Sequence, residues 1–212
     1  MSLHSSGILL FRFRDDKLEV MLVHPGGPFW ARKDEGAWSI PKGLLEESET
    51  PLDGAKREFK EETGFEVDGD FIDLGECTQP SRKIVHAWAI ERDLDATKIV
   101  SNRFALEWPK KSGIIRYYPE IDKAGWFGTD QAKKKIQKGQ AGFIDRLMEA
   151  IGYSPDYAGG QDFTEHQGNV LSAGRLSSDR QEDGCGAKRL GAGRSDRKVS
   201  SNQISLNEWF RG

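Results

Sequence analysis

The chain has 212 residues, with 31 Lys and Arg against 34 Asp and Glu, a formal net charge of −3, and 36% hydrophobic residues. An acidic balance excludes a generic nucleic-acid binder working through a basic face, so no nucleic-acid partner is expected. The length allows one domain with an appendage or two small ones, and the hydrophobic fraction is low for a chain packed along its whole length.

In chain order, Gly7 to Phe13 and Leu18 to His24 are β-branched or aromatic runs joined by Arg14-Asp15-Asp16-Lys17, a hairpin pattern. Arg12 and Arg14 leave the apolar run at Gly7 to Phe11 too short for a signal peptide or a membrane span. The loop from Pro25 to Gly36 exceeds an ordinary connection and is a candidate functional loop. Trp38 to Ile40 reads as a short strand ending at Pro41-Lys42-Gly43. Thr50 with Pro51 predicts a helix start, because Thr caps and Pro fits the first turn, and Gly64 supplies the stop. Strands are expected at Phe71 to Thr78 and Lys83 to Glu91, the second with Val85, Ala87 and Ala89 on one face. Ala124 to Phe127 reads as a last strand, Thr129 as the cap of a short helix, and Ala141 to Ile151 as a helix with Phe143, Ile144, Leu147 and Ile151 at helical spacing. This order predicts a sheet with helices packed on it.

Composition shifts near Gly152. Residues 152–212 hold 10 Gly and eight basic against eight acidic residues, so the net charge of −3 belongs to residues 1–151. No helical or strand period organises 152–212, which is expected to be a mostly disordered, flexible tail after a domain over 1–151. Its segment Ile204 to Phe210 is apolar enough to dock on the domain or on a partner. Two cysteines, Cys77 and Cys185, supply neither a disulfide framework nor a metal set. A soluble, cytoplasmic protein, monomer or homodimer, is the expectation, with no membrane partner.

Chemistry concentrates on the helix from Pro51 to Thr63. Glu58, Glu61 and Glu62 lie at i, i+3 and i+4 and share one face, opposite a stripe of Leu52, Ala55, Phe59 and Thr63. The carboxylates are therefore expected to face outward. Arg57 can neutralise Glu61 at i+4, and a hard divalent cation with oxygen ligands can neutralise the rest. A merely solvated acidic face is the alternative for such a helix taken alone.

Its neighbours change the reading. Gly43, five residues, Glu49, seven residues, then Arg57-Glu58-Phe59-Lys60-Glu61-Glu62-Thr63-Gly64-Phe65 resembles the Nudix hydrolase signature at every fixed position. Seven exact and two apolar matches in register arise by chance on the order of once in ten million chains. The resemblance implies a Nudix-type α/β/α sandwich with a mixed sheet through about residue 151, with no counterpart for the tail. It implies cleavage of a nucleoside diphosphate linked to another moiety, by water attack on phosphorus with Mg2+ or Mn2+ bound. Carried over by position, Glu58, Glu61 and Glu62 are metal ligands, with the Lys42 carbonyl a backbone ligand. Gly43 keeps the loop open to close approach. Glu49 and Arg57 are orienting partners, with Arg57 as a direct phosphate contact the weaker alternative. A general base or further ligand comes from outside the signature; Glu120 is the first candidate and Glu107 its competitor.

Substrate identity rests on less. Trp38-Ser39-Ile40-Pro41-Lys42-Gly43 resembles the entry to the signature in family members that act on diadenosine tetraphosphate, and members acting on inositol pyrophosphates share parts of it. Lys42 there suits a long anionic chain. Pro28, Phe29 and Trp30 are positioned to close over a base, unless Trp30 and Trp38 are simply core. Phe104 to Tyr118 has no place in that subfamily, and its Lys110, Lys111 and Arg116 offer a rim for another phosphorylated ligand. His4, His24, His86 and His166 show no metal spacing. The expected substrate is a nucleoside or dinucleoside polyphosphate, with diadenosine tetraphosphate preferred. The alternatives are ADP-ribose, a nucleotide sugar or an inositol pyrophosphate, or a nucleotide-sensing module without turnover.

Overall fold

A computed structural model describes residues 4–80 and 82–155. The expected tail, apart from Gly152 to Pro155, lies outside the described residues, as do Cys185, His166 and the Ile204 to Phe210 segment. The N-terminal hairpin forms as expected: β1 (His4–Arg14) runs antiparallel to β2 (Lys17–Pro25), with Arg14 facing Lys17. Asp15 and Asp16 at φ 50 and 59 make the tight turn, a left-handed conformation that short polar side chains tolerate.

Trp38 to Ile40 is not a strand. Ser39 bridges Val23 and Trp38 bridges Ile136, and the strand proper comes next as β3 (Lys42–Leu44), paired with Ser5 to Gly7 of β1. Burial explains the misplacement, because Trp38, Ser39 and Ile40 are as inaccessible as strand residues without laddering. Buried Gln140 holds this stretch: its side-chain oxygen accepts from the Ser39 hydroxyl and from the Ile40 N–H, both at 3.1 Å.

Helix α1 (Pro51–Thr63) carries its predicted signals: Thr50 Oγ1 accepts from the Asp53 N–H, and Gly64 at φ 79 donates its N–H to the Lys60 carbonyl. Then come β4 (Ile72–Thr78) and β5 (Ile84–Glu91), which pair antiparallel. An unforeseen hairpin follows, β6 (Arg103–Glu107) with β7 (Ile115–Pro119), a two-stranded sheet separate from the main one. β8 (Ile121–Gly128) starts earlier than expected, and α2 (Thr129–Lys135) and α3 (Ala141–Ala150) close the fold. Thr129 does not cap α2: Gly128 takes that position without a side-chain bond.

The main sheet runs β4-β5-β1-β2-β8, with β3 added to β1 and β1 parallel to β5. β1 is apolar on both faces because both are covered. Ile8 and Leu10 pack with Met21, Ala55, Phe59, Trp88 and Ile90, the last turns of α1 supplying Phe59. Leu9 and Phe11 pack on the other face with Phe143, Ile144 and Leu147 of α3 and Ala132 of α2. Phe59 and Phe143, each 0% exposed, contribute roughly 2–3 kcal/mol apiece from opposite sides. The result is the expected α/β/α arrangement on a mixed sheet. No helix among the described residues is long and apolar enough to cross a membrane.

Candidate active site

β1, β3 and α1 meet where the signature residues sit. Gly43 pairs with Ser6, and a Cβ on Gly43 would overlap the Glu58 carboxyl, so glycine is what lets α1 press this side chain against the β3 backbone. The Lys42 N–H donates to Glu62 Oε2 at 2.9 Å, tying the same strand to the next carboxylate along the helix.

This packing corrects the expectation of an outward-facing acidic stripe. Glu62 is only 6% exposed, and the side chains of Glu58 and Glu61 are 13% and 32% exposed. The helical face was assigned correctly, but β3 and the chain around Asn102 and Glu120 cover it. Arg57 is the organising cation. Its Nε and Nη2 donate to the two Glu49 oxygens, both at 2.9 Å, while Nη1 donates to Glu58 Oε1 at 2.8 Å and lies 3.5 Å from Glu61 Oε1. Nη2 also reaches the Leu44 carbonyl at 2.9 Å, so one guanidinium binds β3, its following loop and α1. Arg57 and Glu49 thus take the paired arrangement expected of orienting residues.

The electrostatics follow from burial. Glu62 is pushed up to about 8 by desolvation, against the pull of the Lys42 charge and its N–H and with the push of Glu58 and Glu120. Glu120 rises to about 7, first by desolvation and then by the charges of Glu58 and Glu61. Glu58 is raised too, by burial that Arg57 only partly offsets, whereas the hydrogen bond from Arg57 holds Glu49 below the usual carboxylate range. Glu120 therefore belongs electrostatically to the cluster on α1. Glu107 does not: its carboxylate accepts the Gly113 N–H at 2.7 Å in the β6–β7 turn.

A short run of backbone bonds places Glu120 there. The Asn102 N–H donates to the Glu61 carbonyl at 3.2 Å, the Glu120 N–H to the Asn102 carbonyl at 2.8 Å, and the Gly26 N–H to the Glu120 carbonyl at 2.8 Å. The participants are distant in sequence and bond through the main chain, so no side-chain pattern announces them. His24 too has partners that its spacing does not announce, though it meets them through its ring. Its ring nitrogens lie 2.7 Å from Asp122 Oδ1 and 2.8 Å from the Lys33 carbonyl, bracing the Pro25 to Gly36 loop from beneath.

For the two tryptophans that the sequence leaves between substrate and core, Trp38 lies in the core and Trp30 packs against it. Trp38 is 6% exposed in the core, its Nε1 donating to Asp34 Oδ1 at 2.8 Å. Trp30 is partly buried against that core cluster with the Lys33 ammonium 4.3 Å from its ring centroid. Lys42, 4% exposed, turns its charge toward Glu58 and Glu62.

Hard oxygen donors that repel one another in a desolvated place are a chemically apt set for a divalent cation of the Mg2+ class. Among the described residues no three His, Cys, Asp or Glu side chains converge as a finished cage. The bonds account for that: Glu58 is drawn to Arg57 and Glu62 to the Lys42 N–H, each carboxylate taking the positive partner within reach.

The chain is similar to known proteins. A "MutT-like protein" of Streptomyces ambofaciens is 51% identical over 120 residues, which is 57% of this chain and 64% of that one. The chain thus spans less than two thirds of that relative's length. Among solved structures, the NUDIX domain of Shewanella oneidensis NrtR in complex with ADP ribose is 17% identical at a TM-score of 0.49, covering 71% of this chain and 89% of that one. A C. elegans Ap4A hydrolase is 16% identical at a TM-score of 0.48, covering 71% and 98%. At those scores the resemblances add nothing to the assignment, which rests on the NUDIX domain family model. That model matches residues 3–147, from β1 through the last buried leucine of α3, and with it the chain belongs to the Nudix family.

Proposed function

We propose that the protein hydrolyses a diphosphate linkage in a nucleoside or dinucleoside polyphosphate, with diadenosine tetraphosphate the preferred substrate, by water attack on phosphorus. The observation that carries the reading is the packing of Glu58 against Gly43 and of Glu62 on the Lys42 N–H, with Glu120 within reach of the charges of Glu58 and Glu61 and with Arg57 and Glu49 bracing the helix face. Glu58, Glu61 and Glu62, with the Lys42 carbonyl, would hold Mg2+ or Mn2+. When bound, such a cation neutralises phosphate charge and makes water a stronger acid. Glu120 accepts the proton of the attacking water. Arg57 keeps Glu58 and Glu61 from drifting toward solvent, and Glu49 holds Arg57. The Lys42 ammonium adds positive charge beside Glu58 and Glu62, where an anionic chain would otherwise meet only carboxylates.

Incubation of the full chain with magnesium and a panel tests this: diadenosine tetraphosphate, ATP, dGTP, ADP-ribose, a nucleotide sugar and an inositol pyrophosphate, with products separated by chromatography. Asymmetric cleavage of diadenosine tetraphosphate to ATP and AMP is expected. Glu61→Gln and Glu62→Gln should each lower kcat by several orders of magnitude. Cleavage of another panel member in its place would overturn the substrate assignment, and near-normal turnover by either variant would overturn the mechanism. Binding without turnover of any member would make the chain a sensor.

A further inference from the structure

Glu120 stands just before β8, and the ladder between β8 and β2 is irregular at that end. From Glu19 with Gly128 to His24 with Lys123, each step along β2 is matched by one along β8, but the next pair is Pro25 with Ile121. Asp122 is thus the extra residue of a bulge. Regular pairing would set Glu120 level with Gly27. The extra residue sets it level with Gly26, whose N–H donates to the Glu120 carbonyl at 2.8 Å. One residue of slip turns side chains to the opposite face of a sheet, so the step at Asp122 bears directly on the direction of the Glu120 carboxylate.

Backbone bonding holds that step only weakly. Pro25 has no N–H to give the ladder, and the N–H and carbonyl of Ile121 both meet the Ser101 hydroxyl oxygen, at 3.1 Å each. That oxygen also lies 3.1 Å from the Asn102 carbonyl, so its one hydrogen serves two acceptors. The firmer hold comes from a side chain. His24 Nδ1 lies 2.7 Å from Asp122 Oδ1. The ring is itself fixed from two other directions, by the Lys33 carbonyl 2.8 Å from Nε2 and by Trp38, which meets it edge to face with centroids 5.2 Å apart. His24 is 1% exposed, so close packing leaves it no room to swing away, while the Asp122 side chain is partly open to solvent. The same ring therefore joins the Pro25 to Gly36 loop to the bulge two residues after Glu120.

We propose that His24 is a positioning residue for the reaction: by holding Asp122 it keeps the bulge in β8, and the bulge aims Glu120 at Glu58 and Glu61. The charges of those two carboxylates act on Glu120 in this arrangement. His24's role rests on the one given above to Glu120, as acceptor of the water's proton. Misplacing a reacting group by about 1 Å costs on the order of 100-fold in rate, and here the fault belongs in kcat, because Asp122 and His24 stand behind Glu120 and not among the groups assigned to substrate.

The test uses the full chain and two readouts. Asp122→Ala removes the hold at a partly exposed position, and His24→Phe removes it while keeping a ring against Trp38. With magnesium and the panel member that wild type cleaves, each should lower kcat about 100-fold and leave KM within about twofold. Asp122→Asn, which keeps an oxygen for the ring, should retain most of the activity. In a Glu120→Gln background, Asp122→Ala should change kcat by less than about twofold, because the group it positions is gone. Amide exchange followed by NMR in EDTA reads the same contact without turnover. The Gly26 N–H should exchange about tenfold faster or more in Asp122→Ala, while the Val23 N–H, bonded to the Ser39 carbonyl, keeps its rate. Near-normal kcat in Asp122→Ala, a loss that multiplies with that of Glu120→Gln, or unchanged exchange at Gly26 would overturn the proposal. If wild type cleaves nothing, or Glu120→Gln turns over normally, while exchange at Gly26 still rises, the hold on the bulge stands and the catalytic reading falls; loss of kcat in Glu120→Gln without loss in Asp122→Ala would do the reverse.

Discussion

Replacing Arg57 by Met keeps the aliphatic stem and deletes the charge. The guanidinium makes four hydrogen bonds of 2.8–2.9 Å, to both oxygens of Glu49, to Glu58 and to the Leu44 carbonyl. The side chains left behind are 15% exposed at Glu49 and 13% at Glu58, so water can replace little of what is lost. Removing one partner of such a buried pair costs about 3 kcal/mol at the lower end of the usual range. For a domain of this size that corresponds to a fall in Tm of roughly 6–12 °C in EDTA. Saturating magnesium should restore much of it, because a ligand at about 100 times its Kd contributes about 2.7 kcal/mol and would replace the missing charge beside Glu58. Thermal unfolding of wild type, Arg57→Met, Glu49→Gln and the double variant, each with EDTA and with magnesium, completes the cycle, and the coupling between the two residues should be about 2 kcal/mol. A Tm within about 2 °C of wild type for Arg57→Met, or strict additivity with Glu49→Gln, would refute the account of Arg57 as the brace of the cluster.

Gly43→Ala places its Cβ on the Glu58 carboxyl, which is the movable end of a side chain, so the fold should survive while Glu58 is displaced. Turnover is expected to fall about 100-fold or more with circular dichroism unchanged, and normal activity would contradict the packing described. Glu120→Gln should lower kcat by orders of magnitude, whereas Glu107→Gln should loosen only the β6–β7 turn; equal effects on kcat would remove Glu120 from its role. The third expectation concerns pH in EDTA. Glu62 and Glu120 hold their protons to about 8 and about 7, so the folded state binds more protons than the unfolded one above pH 4.5. Their contribution is fully present below pH 4.5 and is lost as pH rises through 7 and 8. The carboxylates held low, such as Glu49 and Asp73, act only below that window. Tm in EDTA should therefore decline from pH 5 to pH 8, less steeply in Glu120→Gln, and a rise over that interval would count against the buried cluster.

Helix α1 is legible to the residue because its signals are local: Thr50 and Pro51 begin it and Gly64 ends it within one contiguous stretch. The same holds for the Asp15-Asp16 turn. What the sequence does not carry is what covers a face. Helical spacing groups Glu58, Glu61 and Glu62 correctly, but their burial comes from β3 and from the chain at Asn102 and Glu120, segments that offer α1 backbone N–H and carbonyl groups, which no residue type announces. The β6–β7 hairpin escaped notice for a related reason. Arg103, Glu107 and Arg116 interrupt its apolar residues, and the face that packs does so on a loop, so neither strand shows the plain alternation of a core sheet. For Trp38 the sequence leaves ligand contact and core both open, since an aromatic next to a glycine-bearing motif suits either, and its buried environment decides for core.

Gln140 gives the site a mounting that carries no charge. The residues leading into Gly43 hang from α3's side of the sheet through the Gln140 amide oxygen, which meets the Ser39 hydroxyl and the Ile40 N–H at zero exposure. An amide neither titrates nor attracts counterions, so acid, base and salt leave this attachment alone while they alter every group it presents. The protonation and cation occupancy of the carboxylates are thereby free to change over a backbone whose support does not change with them, and a Gln140→Glu variant would forfeit that independence by making the support itself a titrating group.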